Sequence, residues 1–313
     1  MSPANKFRPG PGGRRLLLLL LLPLFLPGPA AGAGGQAPAP TRVISLYGGL
    51  TETLYALDLG QYLVGVSNSD DYPPPVRRKP KVGTHFNPSI EKILALNPDL
   101  VLAKNRRGRT AAALDYLQRA GIRVITADPH TLEQFFSLVA ELGRVFHCQP
   151  RAAALVSGWR QRLQAVRRRV AGRTPKPLVF FEVRCRDHDL TAAGSRSIVN
   201  EIITAAGGRN LVQVPRQLVP YSIESLLARQ PDVYLVQRGP MNRSPLPAAR
   251  PLFRELRAVR RGRVYEVDEK KFSRFGPRLP AAVEELAAIL YPEKPAPATP
   301  RTGSKTSSAT NKK

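Results

Sequence analysis

The side chains best suited to bind a ligand stand in loops at the ends of predicted strands. They are Tyr47, Tyr72 and Phe86 in the first half of the chain, and Arg184, His188, Tyr221 and Arg274 in the second. Aromatic rings stack on flat ligands, and arginine binds carboxylates and phosphates. Any one of these residues alone is more often a packing or solvated residue. Because ligands of parallel α/β sheets bind beyond the strand ends, the shared position predicts a site for a large, flat, partly anionic molecule.

Sequence motifs of the common enzyme classes are absent. The chain has no HExxH, no GxSxG, no P-loop and no GxGxxG after a strand. Its four histidines are scattered, and none forms an i, i+4 pair, so we predict no catalytic residue, no metal site and no intrinsic cofactor. The two cysteines, Cys148 and Cys185, are too few for a disulfide framework or a structural zinc site. Two separate thiols are expected, and a disulfide between them, formed in an oxidising compartment, is the alternative.

Short apolar segments alternate with helical patterns along most of the chain. RVISLY, YLVGVS, DLVLAK and RVITAD are predicted to be strands buried on both faces, because they are nearly continuous apolar segments. Helical patterns lie between them, and the alternation resumes at PLVFFEV after an interruption near Pro150. The predicted fold class is α/β, with two parallel-sheet lobes joined by one long rigid helix.

The joining helix is predicted over Ala152–Val170. Its apolar residues recur at spacings of three and four, which is typical of one buried stripe, and arginines fill much of the remaining surface. A helix of this length spans roughly 28 Å, enough to cross from one lobe to the other. The predicted organisation is therefore a leader (1–33), a first lobe (42–149), the helix (150–171), a second lobe (176–291) and a disordered basic tail (292–313).

An internal repeat supports the two-lobe prediction. SIEKILALNPDLVLA (Ser89–Ala103) and SIESLLARQPDVYLV (Ser222–Val236) align without gaps and are identical at eight of fifteen positions. A duplicated helix-Pro-Asp-strand unit indicates two similarly built halves. We expect these halves to face each other across a ligand cleft.

Each copy of the repeat places a glutamate, Glu91 or Glu224, in the first turn of its helix. In one interpretation the carboxylates only complement the helix dipole, an effect of about 0.3 to 1 kcal/mol. In the other, they form a matched acidic pair that docks a symmetric basic partner. The residues alone do not decide between the two.

The two ends of the chain and its charge bear on location. A basic stretch, the apolar run LLLLLLLPLFLP and small residues ending at Ala33 predict a cleaved secretory leader. No cysteine stands at the cleavage region, so a soluble exported protein without a lipid anchor is expected. The chain has 48 Lys and Arg residues against 23 Asp and Glu. Nucleic-acid binding is disfavoured because the arginines are dispersed and no such motif occurs; it remains an alternative of a different class, as does a secreted basic enzyme.

From about Arg42 to Tyr291 the sequence resembles the helical-backbone substrate-binding proteins of ABC importers for vitamin B12, ferric siderophores and haem. The resemblance is carried by RVISLYGGLTETLYALDLGQYLVGV, DDYPPPVRRKPKVGTHFNPSIEKILALNPDLVLA, TAAGSRSIVNEIITAAGGRNLV, SIESLLARQPDVYLV, AVRRGRVYEVD and RFGPRLP, in that order. It implies a monomeric periplasmic protein, not an enzyme, that takes cargo in the cleft with little closure. It also implies delivery to an ABC permease dimer with its ATPase subunits, docked through Glu91 and Glu224.

Within that family, the DYPP and NPSIEKILALNPDL segments are most similar to the cobalamin-binding branch, so cobalamin is the favoured cargo. One difference points elsewhere. Cobalamin binders often carry an aromatic residue after the first strand of the second lobe, whereas this chain has Arg184-Cys185-Arg186. The substitution favours a more anionic cargo, and a ferric siderophore or haem is the alternative.

Overall fold

Residues 38–104, 108–186 and 189–292 are described by the computed structural model, and their strands form two separate sheets. The first sheet contains β1 (Val43–Ser45), β2 (Leu63–Val66), β3 (Leu100–Ala103) and β4 (Arg123–Thr126). Their order is β2-β1-β3-β4, and every neighbouring pair is parallel. The predicted leader, His188 and residues 293–313 of the predicted tail lie outside the described residues.

The second sheet is mixed rather than purely parallel. It contains β5 (Leu178–Arg186), β6 (Asp189–Ala193), β7 (Arg209–Asn210), β8 (Leu218–Tyr221), β9 (Val233–Arg238) and β10 (Val264–Asp268). The order is β10-β9-β5-β6-β8, with β7 beside the start of β5. β6 runs antiparallel to both of its neighbours because only two residues separate it from β5, too few for a parallel crossover. The α/β fold class is confirmed, with this one difference.

Ten α-helices cover the sheets in the described ranges. They are α1 (Gly48–Ala56), α2 (Ile90–Ala95), α3 (Gly108–Arg119), α4 (Leu132–Val145), α5 (Gln149–Val170), α6 (Ile198–Ala205), α7 (Ile223–Arg229), α8 (Arg257–Arg260), α9 (Glu269–Phe272) and α10 (Leu279–Leu290). α4 begins with a capping box, in which Thr131 and Gln134 satisfy each other's backbone N–H groups. No helix of the described segments has both the length and the apolar character to cross a membrane.

The long joining helix is present as α5. It begins three residues before the predicted start, because Pro150 is tolerated in the first turn of a helix. Ala152, Trp159 and Val166 form its buried stripe, which packs against α4 and α10. Since α4 precedes the helix and α10 belongs to the second half, α5 contacts both lobes.

The two copies of the repeat form equivalent units in different sheets. The first copy forms α2 and β3, the second forms α7 and β9, and each strand lies in the interior of its sheet. Asp99 accepts hydrogen bonds from the backbone N–H groups of Thr41 and Arg42, just before β1. Asp232 accepts one from the N–H of Leu178, the first residue of β5. Each copy therefore secures the start of the neighbouring parallel strand with the same aspartate.

One burial expectation is wrong. β1 and β3 are buried on both faces, as predicted, but no residue of β4 is fully buried. β4 lies at the edge of the first sheet, where only one neighbouring strand covers it. The apolar run RVITAD could not distinguish an edge strand from a central one.

Candidate functional site

The two lobes touch through backbone at the start of α1. A methyl group at Gly49 would lie 1.9 Å from the carbonyl oxygen of Phe275, and one at Gly276 would lie 3.4 Å from the Cα of Gly49. Any side chain at Gly49 would force the two backbone segments apart at this point. The glycines therefore permit a close approach between the first lobe and the segment that precedes α10.

Two ion pairs join the lobes beside this contact. Arg278 donates two hydrogen bonds to the carboxylate of Glu52, at 2.8 and 2.7 Å, and Lys270 pairs with Asp71. Burial raises the pKa of Glu52 even though Arg278 opposes the shift. Burial would also raise the pKa of Asp71, but the hydrogen bond and charge of Lys270 outweigh it, and that pKa is lowered. Smaller contacts, such as the 3.0 Å approach of Gln217 Nε2 to His130 Nδ1, join the lobes elsewhere.

A continuous series of rings runs from α5 to the surface at the junction of the lobes. In order, the rings of this series are Trp159, Phe135, Phe275, Tyr47, His85 and Phe86. Successive centroids are 5.5, 6.3, 4.9, 5.8 and 3.8 Å apart. The inner rings are buried, whereas the side chain of Phe86 is 73% exposed. The ring series thus links the joining helix and both lobes to an exposed aromatic surface.

Cations surround the outer rings of the series. Lys104 Nζ lies 5.2 Å from the centroid of Tyr47, and Arg278 lies 4.9 Å from the ring of Tyr72, which is 48% exposed. Burial, reinforced by the charges of Lys104 and Arg274, lowers the pKa of His85 to about 4. The imidazole is therefore neutral at neutral pH, so one of its ring nitrogens can accept a hydrogen bond or ligate a metal.

A buried carboxylate lies behind the ring series. Asp70 is 3% exposed; its Oδ2 accepts a 2.5 Å hydrogen bond from Thr51 Oγ1, and its Oδ1 has no hydrogen-bond partner among the described residues. Burial raises its pKa to about 6. A methyl group at Gly48 would lie 2.7 Å from Arg274 Nη1 and 3.2 Å from Asp70 Oδ1, so this glycine makes room for both side chains.

The structure brings together four of the predicted binding residues. Tyr47 and Phe86 belong to the ring series, Arg274 reaches the start of α1 beside Tyr47, and Tyr72 stacks under Arg278. Their role in binding stays a prediction.

Arg184 and Tyr221 lie apart from this group, on the second sheet. Arg184 lies along the β5-β6 hairpin, 3.4 Å from Thr191 and 3.8 Å from Asp189, and Tyr221 packs on Phe180. His188 is outside the described residues.

Three further residues of the junction were absent from the predicted binding set: His85, Lys104 and Phe275. Lys104 follows β3, at the same sheet edge as the other predicted residues, so the rule of strand ends could have included it. His85 is the neighbour of Phe86 in the loop before α2. Nothing in the spacing of Phe275 distinguished it from an ordinary core aromatic.

A cavity of about 620 Å³ lies in the second lobe alone, lined by none of the junction residues described above. Its lining includes Arg186, Met241, Arg243 and Leu252, together with Ile223, the first residue of α7. No predicted binding residue of the described segments lines it. Elsewhere in those segments, no group of three or more His, Cys, Asp or Glu side chains is arranged to hold a metal ion, and Cys148 and Cys185 are thiols rather than a disulfide.

The two repeat glutamates occupy equivalent exposed positions. Glu91 follows the N-cap Ser89 in α2, and Glu224 follows the N-cap Ser222 in α7. Both side chains are exposed, and neither forms an ion pair with another described residue. The geometry is compatible with either interpretation of these carboxylates.

Comparison with known proteins gives one consistent result. Residues 43–271 match the model of the family described as periplasmic binding protein. An uncharacterized ABC transporter substrate-binding lipoprotein, YvrC of Bacillus subtilis, is 31% identical over 258 residues, covering 81% of each chain. The vitamin B12-binding protein of Photorhabdus laumondii is 30% identical, covering 80% of this chain and 88% of its own.

The fold comparison agrees with the sequence comparison. The crystal structure of the periplasmic heme-binding protein RhuT from Roseiflexus sp. RS-1, in its apo form, superposes with a TM-score of 0.71 at 29% identity. The match covers 82% of this chain and 98% of that one. Two sheets, one joining helix, a duplicated unit and these relatives lead to one conclusion: the chain belongs to the periplasmic binding protein family.

Proposed function

We propose that this protein is the substrate-binding component of an ABC importer and that it holds a bulky, flat cofactor or metal chelate, cobalamin in the first place, at the junction of its lobes. The observation that carries the proposal is the ring series, which ends in exposed Phe86 at the junction of the lobes, where Tyr72 is also exposed. Exposed aromatic rings bordered by cations suit a large planar ligand with polar edges. The name of the P. laumondii relative supports cobalamin.

A second cargo class, haem or a ferric siderophore, is favoured by the charges at the site. Lys104 and Arg274 are the cations whose charges lower the pKa of His85, and both lie beside Tyr47. Such a setting favours a ligand with carboxylates, and neutral His85 offers a nitrogen toward a bound metal. The similarity to the periplasmic heme-binding protein of Roseiflexus supports this alternative.

Capture in this proposal involves no catalysis and little lobe movement. The contact at Gly49, the Glu52–Arg278 pair and the unbroken helix α5 each oppose separation of the lobes. Wide hinge closure generally requires a few residues that can absorb large backbone changes, and α5 supplies none. Binding is therefore expected to rest on complementarity to a largely preformed surface.

Delivery completes the proposed role. A monomer exported to the periplasm would dock on a permease dimer, itself bound to ATPase subunits, through Glu91 and Glu224; nucleic acid has no part in it. The expectations that the leader is cleaved near Ala33 and that export occurs without a lipid anchor stay predictions, although the B. subtilis relative is a lipoprotein by name. Mass spectrometry of the exported protein tests both.

Absorbance titration with cyanocobalamin, haemin and a ferric siderophore tests the cargo. Phe86→Ala removes the exposed end of the ring series and should weaken binding of the true cargo roughly tenfold, since lost stacking and apolar contact together amount to about 1.4 kcal/mol. Tyr116→Ala is the matched control, because Tyr116 is a similarly exposed aromatic on α3. Equal affinities of both variants for every cargo would place the site elsewhere.

Cargo uptake by cells tests the docking role. Glu91→Lys and Glu224→Lys should each abolish uptake through charge repulsion while leaving the affinity for cargo unchanged. Glu141→Lys, at an exposed position on α4, is the control and should transport normally. Unchanged uptake in both repeat variants would leave the helix-dipole interpretation as the correct one.

A further inference from the structure

Arginines and lysines are concentrated at one edge of the second sheet, by which we mean the end at which its parallel strands begin, on the side away from the proposed cleft. Parallel strands β5, β7, β9 and β10 all begin at this edge, and α5 ends there. Six exposed basic side chains from four chain segments lie around it. We call them the basal patch: Arg167, Arg168, Arg173, Lys176, Arg209 and Arg261.

Contacts around Tyr291 connect these segments. Arg169 donates a hydrogen bond to the carbonyl oxygen of Tyr291, and Arg173 lies 5.9 Å from the centroid of the Tyr291 ring. The hydroxyl of Tyr291 donates to the carbonyl oxygen of Gly207. In the parallel pairing of β5 and β7, Arg209 stands opposite Leu178, the first residue of β5. On the neighbouring strands, the carbonyl of Arg263 accepts from the N–H of Tyr234 at the start of β9, which places the preceding Arg261 at the same edge.

Among the described residues, no acidic side chain neutralises the charge of the basal patch. Two carboxylates of the second lobe, Asp232 just before β9 and Glu255, pair with Arg257 and Arg260 instead. Within the described residues, no ion pair involves a member of the patch, in contrast to Lys270, Lys271 and Arg278 at the cleft side. The last turn of α5 contributes three arginines, Arg167, Arg168 and Arg169, and no acidic residue.

We infer that the basal patch binds the anionic surface of a phospholipid bilayer. The side chains lie along one sheet edge, so they can meet a planar array of headgroups together, and each basic residue near such a surface contributes about 1 kcal/mol. This binding does not depend on the identity of the cargo.

The position of the basal patch determines how the protein would be oriented on the membrane. The Glu91 and Glu224 helices each lead into the start of a strand, β3 or β9, so their first turns lie toward the opposite ends of the two sheets. A bilayer on the basal patch would therefore hold the protein at the membrane with its cleft toward the aqueous phase. Presentation of the two glutamates to a partner in that membrane would require release from the lipid.

Vesicle co-sedimentation of the exported, leader-free protein tests the inference. The protein should bind vesicles of equimolar phosphatidylglycerol and phosphatidylcholine at about 0.1 M salt, should release them at about 1 M salt, and should not bind pure phosphatidylcholine. A basal variant with Arg167→Gln, Arg168→Gln, Arg173→Gln and Arg209→Gln should bind at least about a hundredfold more weakly.

The matched control removes the same charge from exposed arginines of the first lobe. It carries Arg78→Gln, Arg119→Gln, Arg123→Gln and Arg144→Gln, and it should bind within about threefold of the unaltered protein. Equal losses in both variants would mean that net charge alone attracts the vesicles, which overturns the inference. It is likewise overturned if the unaltered protein binds a DNA duplex but no anionic vesicle. Thermal unfolding of each variant shows that the fold is retained.

Discussion

The two lobes share a duplicated unit and differ in nearly everything attached to it. Ser89 and Ser222 cap equivalent helices, and Asp99 and Asp232 secure equivalent neighbouring strands. The loops at the cleft edge are unlike: the first lobe supplies most of the outer rings, and the second supplies arginines such as Arg274 and Arg278. The duplicated segments therefore build equivalent frameworks, and the loops at the junction are what distinguishes one lobe from the other.

Buried carboxylates show the same contrast between the lobes. In the second lobe Glu182 is fully buried and accepts hydrogen bonds from Arg250, at 2.7 and 2.9 Å, from Asn242 at 2.8 Å, and from Tyr234. In the first lobe Asp70 is nearly as buried, but Thr51 is the only described side chain that donates to its carboxylate. One carboxylate is fully paired with a cation, and the other is not.

Loss of Glu182 should have the largest effect on stability. Glu182→Ala leaves the guanidinium of Arg250, whose side chain is 11% exposed, without its partner, and should lower the free energy of unfolding by about 3 to 5 kcal/mol. Urea unfolding measures this change. Replacing both partners, with Glu182→Leu and Arg250→Met, should recover most of the loss; a loss below about 1 kcal/mol for Glu182→Ala alone would contradict the account.

Loss of the Asp70 carboxylate should stabilise the protein, whereas loss of Glu182 destabilises it, and the size of the stabilisation should depend on pH. Its folded pKa of about 6 lies above the unfolded value of about 3.9, so the folded state retains a proton that the unfolded state has lost between these pH values. Its contribution to stability therefore falls as pH rises from about 4 to about 6. Asp70→Asn should raise the free energy of unfolding at pH 7 by on the order of 2 kcal/mol, with the gain shrinking toward pH 4.

The neighbouring Asp71 supplies the control for that measurement. Its pKa is lowered by Lys270, so its carboxylate stabilises the fold above the unfolded pKa and loses this effect as the pH falls. Asp71→Asn should therefore destabilise the protein at pH 7. Shifts of the same sign in both variants would show that the two carboxylates do not differ as the structure indicates.

The repeat aspartates should give the smallest and most similar effects. Asp99→Ala and Asp232→Ala each remove an acceptor from the start of a strand, and each should lower the free energy of unfolding by about 1 to 2 kcal/mol. Denaturant unfolding of the two variants side by side measures the difference. Decreases in the free energy of unfolding that differ by more than about 2 kcal/mol between the two variants would mean that the two copies do not contribute equally to stability.

Local patterns predicted much of this structure. The repeat placed both units correctly, and the apolar spacing of residues 152–170 predicted the joining helix, because both signals depend on neighbours along the chain. The exposure of β4 and the antiparallel direction of β6 were missed, since they depend on position within a sheet.

Contacts between distant residues were beyond sequence reasoning. Glu52 and Arg278 are 226 positions apart, and no periodicity connects them. The arginines of the second lobe looked dispersed for a similar reason. Residues 167, 209 and 261 lie at the same end of the second sheet only because several strands begin there, and that arrangement is known only once the strand order is known.

The place of Trp159 in the ring series has a practical consequence. Trp159 is the chain's single tryptophan and is 7% exposed. It lies on the joining helix α5, and its indole stacks on the ring of Phe135 from α4. Its fluorescence therefore originates at one known point, without labels or engineered probes. Cargo that absorbs near the emission band should quench this signal by energy transfer, and a steady emission maximum during quenching would indicate that the interior of the molecule stays unchanged on loading.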